Sequence, residues 1–366
     1  MKVLVGLSGG VDSAVAAQFL VEQGYEVTGV TLKLLSPLTN GDKAPCGAAC
    51  KRQDGDIADA KAVSEKLGIE HIVYDFREQF KTLIIDYFVN EYKKGRTPNP
   101  CFICNAKIKF GLFLEQALKD GFDLIATGHY AGIEKSTMFG SERFLLKRGA
   151  DTVKDQSYFL ALLNQHQLSH TIFPLAGLQK RYIRAVSEAA GFINAHRPDS
   201  QDICFVSGND YTNVINTLAG QELKEGVFLN TVGEKIGTHK GLHYYTIGQR
   251  RGLAVAMGYP VYVVKKDADK NTVTLGTNDS LFANSIIAES VNMIAFDELK
   301  TEMEVTVKTR YRQKEKRAKL IPLGGGEFKI EFAEPEKAVA EGQAAVFYSG
   351  DFVLGGGIIK HVERIV

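Results

Sequence analysis

The sequence has no tryptophan, only five cysteines, nine prolines and no long hydrophobic run. Five cysteines in 366 residues are too few, and odd in number, for a structural disulfide framework. This count favours a reducing cytoplasmic location, where thiols serve chemistry or bind metal. No apolar run approaches the roughly 18 residues that a membrane span needs, and the N-terminus is strand-like, unlike a signal peptide. We therefore expect a cytoplasmic protein without a membrane anchor.

Net charge is also almost absent, because 44 basic residues face 43 acidic ones and leave a formal charge of +1. This balance excludes a general attraction to nucleic acid, so such a partner must be bound by local patches. The first predicted basic patch is the window 301–320, with seven basic and three acidic residues. The second predicted basic patch consists of His239, Lys240, His243, Arg250 and Arg251.

The hydrophobic pattern divides the chain into an α/β part and an all-β part. In the first third, short β-branched runs alternate with amphipathic segments, which is typical of a parallel sheet wrapped by helices. Strands are predicted at 2–7, 25–32, 70–76 and 123–127, and helices at 12–23 and 56–67. From about residue 208, glycine turns and alternating runs predict β structure at 261–265, 272–275, 305–309, 328–332 and 344–348.

The length of the chain agrees with two or three domains. Changes in sequence texture favour three of them. We predict a parallel-sheet domain at 1–207, a small middle domain at 208–280 and a C-terminal β-barrel at 281–366.

A glycine-rich segment lies where the first predicted strand ends and the first helix begins. Such a position binds anions, because glycines turn backbone N–H groups inward and the helix start adds partial positive charge. The segment lacks the Gly-Lys-Ser ending of a Walker loop, and Asp12 would repel phosphate unless Mg²⁺ stood between them. It resembles the pyrophosphate loop of enzymes that split ATP into AMP and pyrophosphate, so we expect ATP with Mg²⁺ here. Its residues are Gly6, Leu7, Ser8, Gly9, Gly10, Val11, Asp12 and Ser13.

A second candidate segment, residues 127–130, follows the apolar run 124–126. It therefore lies at the carboxyl end of another parallel strand, where open sheets bind ligands. Gly128 would let a nucleotide approach the backbone closely. His129 is as consistent with a packed or capping residue as with a ligand.

A Cys-x-x-Cys pair, Cys101 and Cys104, follows two prolines that fix an extended loop near a helix start. Nearby lysines and the helix dipole are expected to lower the thiol pKa values and favour thiolate. The spacing leaves three interpretations open: half of a metal site, a redox pair, or two buried apolar residues. Cys46 and Cys50 could complete a zinc site with this pair, although the residues between them lack the turn chemistry of a zinc knuckle.

Nine motifs resemble, in their order along the chain, those of the tRNA-specific 2-thiouridylase family. They are residues 8–13, 97–100, 104–105, 127–130, 154–158, 200–205, 245–252, 310–312 and 341–348. The resemblance implies a Rossmann-like ATP-pyrophosphatase domain of the adenine nucleotide alpha hydrolase type, followed by the middle domain and the barrel. It also implies an enzyme that replaces the 2-oxygen of the wobble uridine, position 34 of tRNA, with sulfur. ATP would adenylate that oxygen, and a protein persulfide would supply the sulfur.

The resemblance also implies roles for individual residues. Cys104 would be the nucleophile and Cys204 the persulfide carrier, with a disulfide between them after sulfur transfer. Residues 6–13 would hold ATP, with Leu32, where methionine is expected, and Gly128 lining the adenosine pocket. The residues implied at the target base are Asn99, Pro100 and Cys101. The residues implied to contact tRNA are His129, Lys154, Asp155, Gln156, Arg310, Tyr311 and Gln343.

Cys101 departs from the family pattern, because many members carry aspartate at this position. With Cys104 and Cys204 it provides three thiols that could hold an iron-sulfur cluster, which would deliver sulfide without a disulfide step. The sequence leaves the persulfide and cluster routes both open.

The implied partners are the tRNAs for lysine, glutamate and glutamine, and a sulfur donor such as a cysteine desulfurase or a relay protein. Two other functions are also considered: an adenylating enzyme with another acceptor, and an RNA-binding module with a vestigial nucleotide fold.

The basic patches predict salt-sensitive binding of tRNA. Each phosphate that a patch neutralises releases counterions, so raising the salt concentration from about 50 to about 200 mM should raise the Kd by at least about tenfold. Fluorescence titration of labelled tRNA measures this change. Equal Kd values at the two salt concentrations would contradict the patch assignment.

Overall fold

The computed structural model describes residues 1–36, 47–199, 202–206, 210–219 and 224–365. Within these ranges the strands form three sheets of five, four and eight strands. Cys46, residues 200–201 and the predicted domain boundary after residue 207 lie outside the described residues.

The elements of the described residues are numbered here in chain order. The strands are β1 Lys2–Gly6, β2 Glu26–Lys33, β3 Glu70–Asp75, β4 Leu124–Ala126, β5 Ala131–Ser136, β6 Arg143–Arg148, β7 Thr171–Ile172, β8 Gly226–Leu229, β9 Lys235–His239, β10 Tyr262–Asp267, β11 Thr272–Gly276, β12 Phe282–Met293, β13 Met303–Lys308, β14 Lys316–Gly324, β15 Glu327–Lys337, β16 Ala344–Ser349 and β17 Phe352–Arg364. The α-helices are α1 Val11–Glu22, α2 Gly47–Leu67, α3 Arg77–Phe80, α4 Asp86–Lys93, α5 Pro100–Cys104, α6 Phe113–Lys119, α7 Gln165–Ser169, α8 Lys180–Ala189 and α9 Tyr211–Leu218.

The N-terminal sheet is parallel, with the strand order β3-β2-β1-β4-β7. Its central strand β1 is a continuous apolar run, Val3 to Val5, that is fully buried, as expected where helices cover both faces of a sheet. The four strands predicted for this part are present, and β7 is an additional short strand. The helix predicted at 56–67 begins earlier, at Gly47.

Two long helices of this part each contain a π-helical segment. The helix over 77–93 passes through Lys81–Ile85, and the helix over 100–119 passes through Asn105–Leu112. The second helix carries the Cys-x-x-Cys pair in its first turn. The first segment has five residues, about one turn, as is usual for this geometry, whereas the second has eight and is longer than a single-turn bulge.

The middle sheet has the order β10-β11-β8-β9 around a core of Phe228, Val263 and Val273. It corrects the second predicted basic patch, because His239 and His243 are each only 1% exposed. Burial lowers the pKa of both, that of His243 to about 4, so neither adds positive charge. The exposed basic residues that remain are Lys240, Arg250 and Arg251.

The C-terminal sheet contains a closed antiparallel barrel. Strands follow the order β12-β15-β14-β13-β16-β17, and β17 pairs back with β12 to close it. The sequence did not predict the hairpin β5-β6, which comes from the N-terminal part yet extends this sheet through pairing of β6 with β17. The predicted class, a parallel-sheet domain followed by a small domain and a β-barrel, is confirmed.

The barrel and the N-terminal domain share a continuous hydrophobic core. Asn292 donates from Nδ2 to the carbonyl oxygens of Ala161 at 3.1 Å and Leu163 at 2.9 Å, and Tyr158 donates to Ala344 at 3.0 Å. Because these bonds lie at buried positions, they fix the barrel against the segment that follows residue 156. No helix within the described ranges has the length and apolar character needed to cross a bilayer.

Candidate functional site

The glycine-rich loop between β1 and α1 is held in one conformation by close packing. Gly9 has a φ of +70°, and a Cβ there would lie 2.7 Å from the carbonyl oxygen of Asp56 in α2. Ser8 donates its backbone N–H to Ser13 Oγ at 3.1 Å. Only glycine combines this φ with so close a helix backbone, so the loop needs glycine at this position.

Two side chains from residues 194–197 hold the same loop from outside. Asn194 Nδ2 and Arg197 Nη1 donate to the carbonyl oxygen of Gly9, at 3.0 and 3.1 Å. Arg197 also pairs with Asp56 and, at 3.2 Å, with Asp59. The carbonyl oxygen of Gly9 is thereby satisfied by side chains of the protein itself.

Asp12, the acidic residue of the loop, belongs to an ion bridge that the sequence did not reveal. Lys180 Nζ lies 2.6 Å from Asp12 Oδ1 and 2.9 Å from Asp199 Oδ1, and Lys180 is 8% exposed. Tyr130 donates its hydroxyl to the same Asp12 oxygen at 2.6 Å. We call Asp12, Lys180 and Asp199 the ion bridge. It offsets the negative charge that Asp12 would otherwise present to phosphate.

Two further cations contact Asp199. Lys154 lies at 2.6 Å and Arg184 at 2.7 Å. Burial alone would raise the pKa of Asp199, but hydrogen bonds from Lys154 and Lys180 lower it to about 2. This carboxylate is therefore ionised at neutral pH, and Lys154, implied to contact tRNA, is already paired.

Gly128 lies against the start of α1. A Cβ there would be 2.7 Å from the carbonyl carbon of Asp12 and 2.8 Å from the nitrogen of Ser13. In this structure the backbone of Asp12 and Ser13 lies close to Gly128, at the place where the sequence predicted the close approach of a nucleotide. Leu32, the other residue implied in the adenosine pocket, is half-buried near the end of β2.

His129 is held between aromatic rings. Its centroid lies 5.6 Å from that of Phe110 and 6.0 Å from that of Phe173, and Nδ1 is 2.7 Å from the hydroxyl of Thr127. Burial lowers the pKa of His129 well below its usual value, so the imidazole is neutral. The implied contact of His129 with tRNA stays a prediction, and a neutral ring could make it by stacking or hydrogen bonding rather than by charge.

Asp155 and Gln156 use their side chains inside the protein. Asp155 accepts from the backbone of Gly149 and Ser157, at 3.1 and 3.0 Å, and is buried. Gln156 Oε1 accepts from the N–H of Tyr130 at 3.0 Å. Both carboxyl and amide groups thus fix the local backbone, and the implied contacts of this segment with tRNA stay predictions.

The Cys-x-x-Cys pair is positioned by a capped helix start. Asn99 Oδ1 accepts from the N–H of Phe102 at 3.2 Å, and Pro100 occupies the first helical position, where its missing N–H leaves no bond unmade. Cys104 is buried, whereas Cys101 is half-buried. Asn99 and Pro100, implied at the target base, therefore also orient the thiols.

The predicted lowering of the thiol pKa values is wrong. Burial raises the pKa of Cys104 to about 12 and that of Cys204 to about 11, and it raises that of Cys101. Lys109 lowers all three by less than burial raises them. The sequence showed the nearby lysines but not the depth of burial, so it predicted the wrong direction.

Cys204 lies on a short segment that is anchored to the N-terminal domain. Arg52 of α2 donates to its carbonyl oxygen at 2.9 Å, and the next residue, Phe205, packs its ring 5.3 Å from that of Phe88. Cys204 is an exposed residue, although protein atoms surround its thiol. Thiolate charge on Cys101 or Cys204 would disfavour ionisation of the neighbouring thiols, which shows that the three lie near one another.

Cys101, Cys104 and Cys204 are free thiols. In the part of the chain that the structure describes, no three His, Cys, Asp or Glu side chains are arranged to hold a metal ion. An iron-sulfur cluster holds its thiolates further apart than a single metal ion does, so the cluster ligand set Cys101, Cys104 and Cys204 stays a prediction. The alternative zinc site includes Cys46, which lies outside the described residues, and Cys50, which is half-buried in α2.

The barrel clamps the loop that precedes the Cys-x-x-Cys pair. Gln343 Nε2 donates to the carbonyl oxygen of Thr97 at 2.8 Å, and the N–H of Thr97 donates to that of Glu341 at 2.8 Å. Arg96 pairs with Glu289 of the barrel at 3.0 Å. Gln343, implied to contact tRNA, is thus engaged in positioning this loop.

Arg310 and Tyr311 also lie between parts of the protein. Arg310 Nη2 donates to Ala338 and, at 3.5 Å, to the carbonyl oxygen of Ile247 in the middle domain. The ring of Tyr311 lies 4.5 Å from that of Phe159. These two residues connect the barrel to the other domains, and their contacts with tRNA stay predictions.

Family models match the chain in three consecutive pieces. The tRNA methyl transferase HUP domain matches residues 1–208, the tRNA methyl transferase PRC-barrel domain residues 213–277, and the aminomethyltransferase beta-barrel domain residues 283–359. The tRNA-specific 2-thiouridylase MnmA of Treponema denticola is 66% identical over 371 residues, which cover 100% of this chain and 99% of that protein.

The chain belongs to the tRNA-specific 2-thiouridylase family. The member from Acetivibrio thermocellus is 44% identical over 359 residues, covering 98% of this chain and 99% of that protein. Members of this family are sulfurtransferases. Among solved structures, the U34-tRNA thiolase NcsA of Methanococcus maripaludis, with its 4Fe-4S cluster, is 18% identical at a TM-score of 0.34, covering 61% of this chain and 65% of that one. So distant a likeness carries no argument about the site.

Sequence reasoning missed three site residues of this 2-thiouridylase family member: Lys180, Arg184 and Arg197. Lys180 and Arg184 are four residues apart at the start of α8, so they share one face of that helix. That spacing was readable from the sequence, but nothing in it showed that the face meets Asp12 and Asp199.

The contact of Gly128 with the start of α1 predicts that Gly128→Ala impairs nucleotide binding in this 2-thiouridylase. The added methyl group displaces the backbone of Asp12 and Ser13, and a shift of this kind should weaken ATP binding at least about tenfold by isothermal titration calorimetry. The control is Gly177→Ala, because no atom lies within 4 Å of the added Cβ. Equal affinities of the two variants for ATP would show that the contact between Gly128 and the start of α1 does not matter for nucleotide binding.

Proposed function

We propose that this chain adenylates the 2-oxygen of uridine 34 of tRNA with ATP and replaces it with sulfur carried by Cys204. One observation carries the proposal: the Cys204 segment is anchored beside the glycine-rich loop of residues 6–13, which we call the phosphate loop. In α2, Asp56 packs on Gly9, and Arg52, about 6 Å earlier along the helix axis, holds the carbonyl of Cys204. Family membership supports the same function.

The first step activates the base. The 2-oxygen attacks the α-phosphorus of ATP, the bond to the β-phosphate breaks, and pyrophosphate leaves. The N–H groups and hydroxyls of residues 6–13 are suited to hold that pyrophosphate. The 2-oxygen of a pyrimidine ring is a poor leaving group. This step links it to the α-phosphate, so that it can later leave as part of AMP. The target base must leave its stack for this contact.

The second step transfers sulfur. The terminal sulfur of a Cys204 persulfide attacks C2 of the base, and the C2–O bond breaks to release AMP. Cys104 then attacks the Cys204 sulfur, which breaks the bond to the base-bound sulfur and forms a Cys104–Cys204 disulfide. The transferred sulfur gains two electrons and the two thiols lose them, so an external dithiol must reduce the disulfide.

The positions of the two thiols support these different roles. Cys204 is the more exposed of the two residues and therefore the one that a donor protein can approach more readily, whereas Cys104 is buried. Their raised pKa values keep both protonated at neutral pH and so limit side reactions of the resting enzyme. Lys109 is the nearby cation that favours the thiolate form of Cys104.

The proposed partners are a persulfide donor, such as a cysteine desulfurase or relay protein, and the tRNAs for lysine, glutamate and glutamine. Mg²⁺ enters with ATP as part of that substrate. Exposed Arg312, Lys314 and Arg317 on the barrel support contact with tRNA phosphates. The alternative is the cluster route, in which Cys101, Cys104 and Cys204 would hold an iron-sulfur cluster that delivers sulfide.

Cysteine variants separate the two chemical steps. Cys104→Ser and Cys204→Ser should each lower 2-thiouridine formation at least about 100-fold, because each removes a sulfur that the transfer needs. Both should retain tRNA-dependent release of pyrophosphate, because adenylation uses neither thiol. Nucleoside mass spectrometry and a pyrophosphate assay measure the two steps.

The matched control is Cys50→Ser, a half-buried cysteine outside the proposed chemistry. It should form 2-thiouridine at the rate of the unaltered protein. Normal thiolation by the Cys204→Ser variant would refute the persulfide route, and pyrophosphate release that ignores tRNA would refute the choice of substrate.

A further inference from the structure

Three cations and three carboxylates lie together beside the phosphate loop. Asp12 and Asp199 are shared by Lys180, Lys154 and Arg184, with each of these contacts at 2.9 Å or less. The third carboxylate, Asp151, accepts the backbone N–H groups of Lys180 at 2.9 Å and of Lys154 at 3.2 Å, so the cluster is formally neutral. Cations that are already held beside a loop suited to an anion are placed to donate to a phosphate as well.

Lys180 is the member of this cluster that contacts the loop itself. Its ammonium has three hydrogens to donate, and the contacts with Asp12 and Asp199 account for two of them. Its backbone N–H donates to Asp151 at 2.9 Å, which fixes the base of the side chain. The four-carbon stem lets the ammonium move while the helix start stays in place.

We propose that Lys180 is a nucleotide-binding residue that contacts the pyrophosphate portion of ATP. The proposal rests on the function proposed above and assigns its phosphate contact to a residue outside the loop. The ammonium would exchange one carboxylate contact for a phosphate oxygen, or use its third N–H, while it continues to offset the charge of Asp12. Because Asp12 lies in the loop, this contact is with the β- and γ-phosphates rather than with the adenosine.

The length of the bound phosphate chain provides the test. Calorimetry would measure the binding of ATP and of AMP to the full-length protein and to Lys180→Met, which keeps the stem and removes the charge. We expect the Kd for ATP to rise at least about 30-fold, as for loss of a charge-assisted hydrogen bond. The Kd for AMP should change less than about threefold, because AMP lacks the phosphates in question, and Lys180→Arg should restore part of the affinity for ATP.

The matched control is Arg181→Met, which removes a positive charge from an exposed neighbour on the same helix. It should leave both Kd values unchanged. If Lys180→Met does not fold, Lys180→Gln keeps donors for both carboxylates and supplies the same ratio of ATP to AMP affinity.

Equal weakening of ATP and AMP would show that Lys180 only supports the fold, and unchanged ATP binding would show that it does not contact the nucleotide. Either result overturns this inference. If the unaltered protein itself binds no ATP, the proposed function fails instead, so the two failures are distinguishable.

Discussion

The ion bridge links three parts of the N-terminal domain that are far apart in sequence. Asp12 lies in the first turn of α1, Lys180 begins α8, and Asp199 precedes Cys204 by five positions in the sequence. Because the bridge is largely buried, loss of one partner would leave an uncompensated charge in the protein. The shape of the phosphate loop and the position of Asp199 thus depend on the same contact.

The barrel imposes a second constraint, on the loop that we propose meets the target base. The N–H of Thr97 donates to the carbonyl oxygen of Glu341, and the carbonyl oxygen of Thr97 accepts from the Gln343 side chain. Asn292 in turn fixes the segment that follows residue 156. A domain expected to bind tRNA therefore also sets the geometry of the catalytic domain. This arrangement gives a physical route by which tRNA bound on the barrel can influence the thiols.

The sequence was informative wherever one short segment contains its own chemistry. The phosphate loop, the strands of the parallel sheet and the Cys-x-x-Cys helix start were all predictable, because local periodicity and glycine placement determine them. It was uninformative about burial and long-range pairing. The thiol pKa values, the buried His239 and His243, and the partner of Asp12 depend on residues more than a hundred positions away or on packing from other elements. The hairpin β5-β6 could not be assigned to the barrel sheet for the same reason.

The central claim is that ATP links AMP to the 2-oxygen of the uridine. That oxygen then leaves with AMP, and a sulfur atom carried by a nearby cysteine takes its place. The most direct measurement uses an anticodon stem-loop RNA whose uridine 34 carries ¹⁸O at position 2. After one turnover with ATP and the sulfur donor, mass spectrometry of the released AMP reveals where that oxygen goes. The account predicts one ¹⁸O atom in the phosphate of AMP for each 2-thiouridine formed. Formation of 2-thiouridine with unlabelled AMP would contradict it.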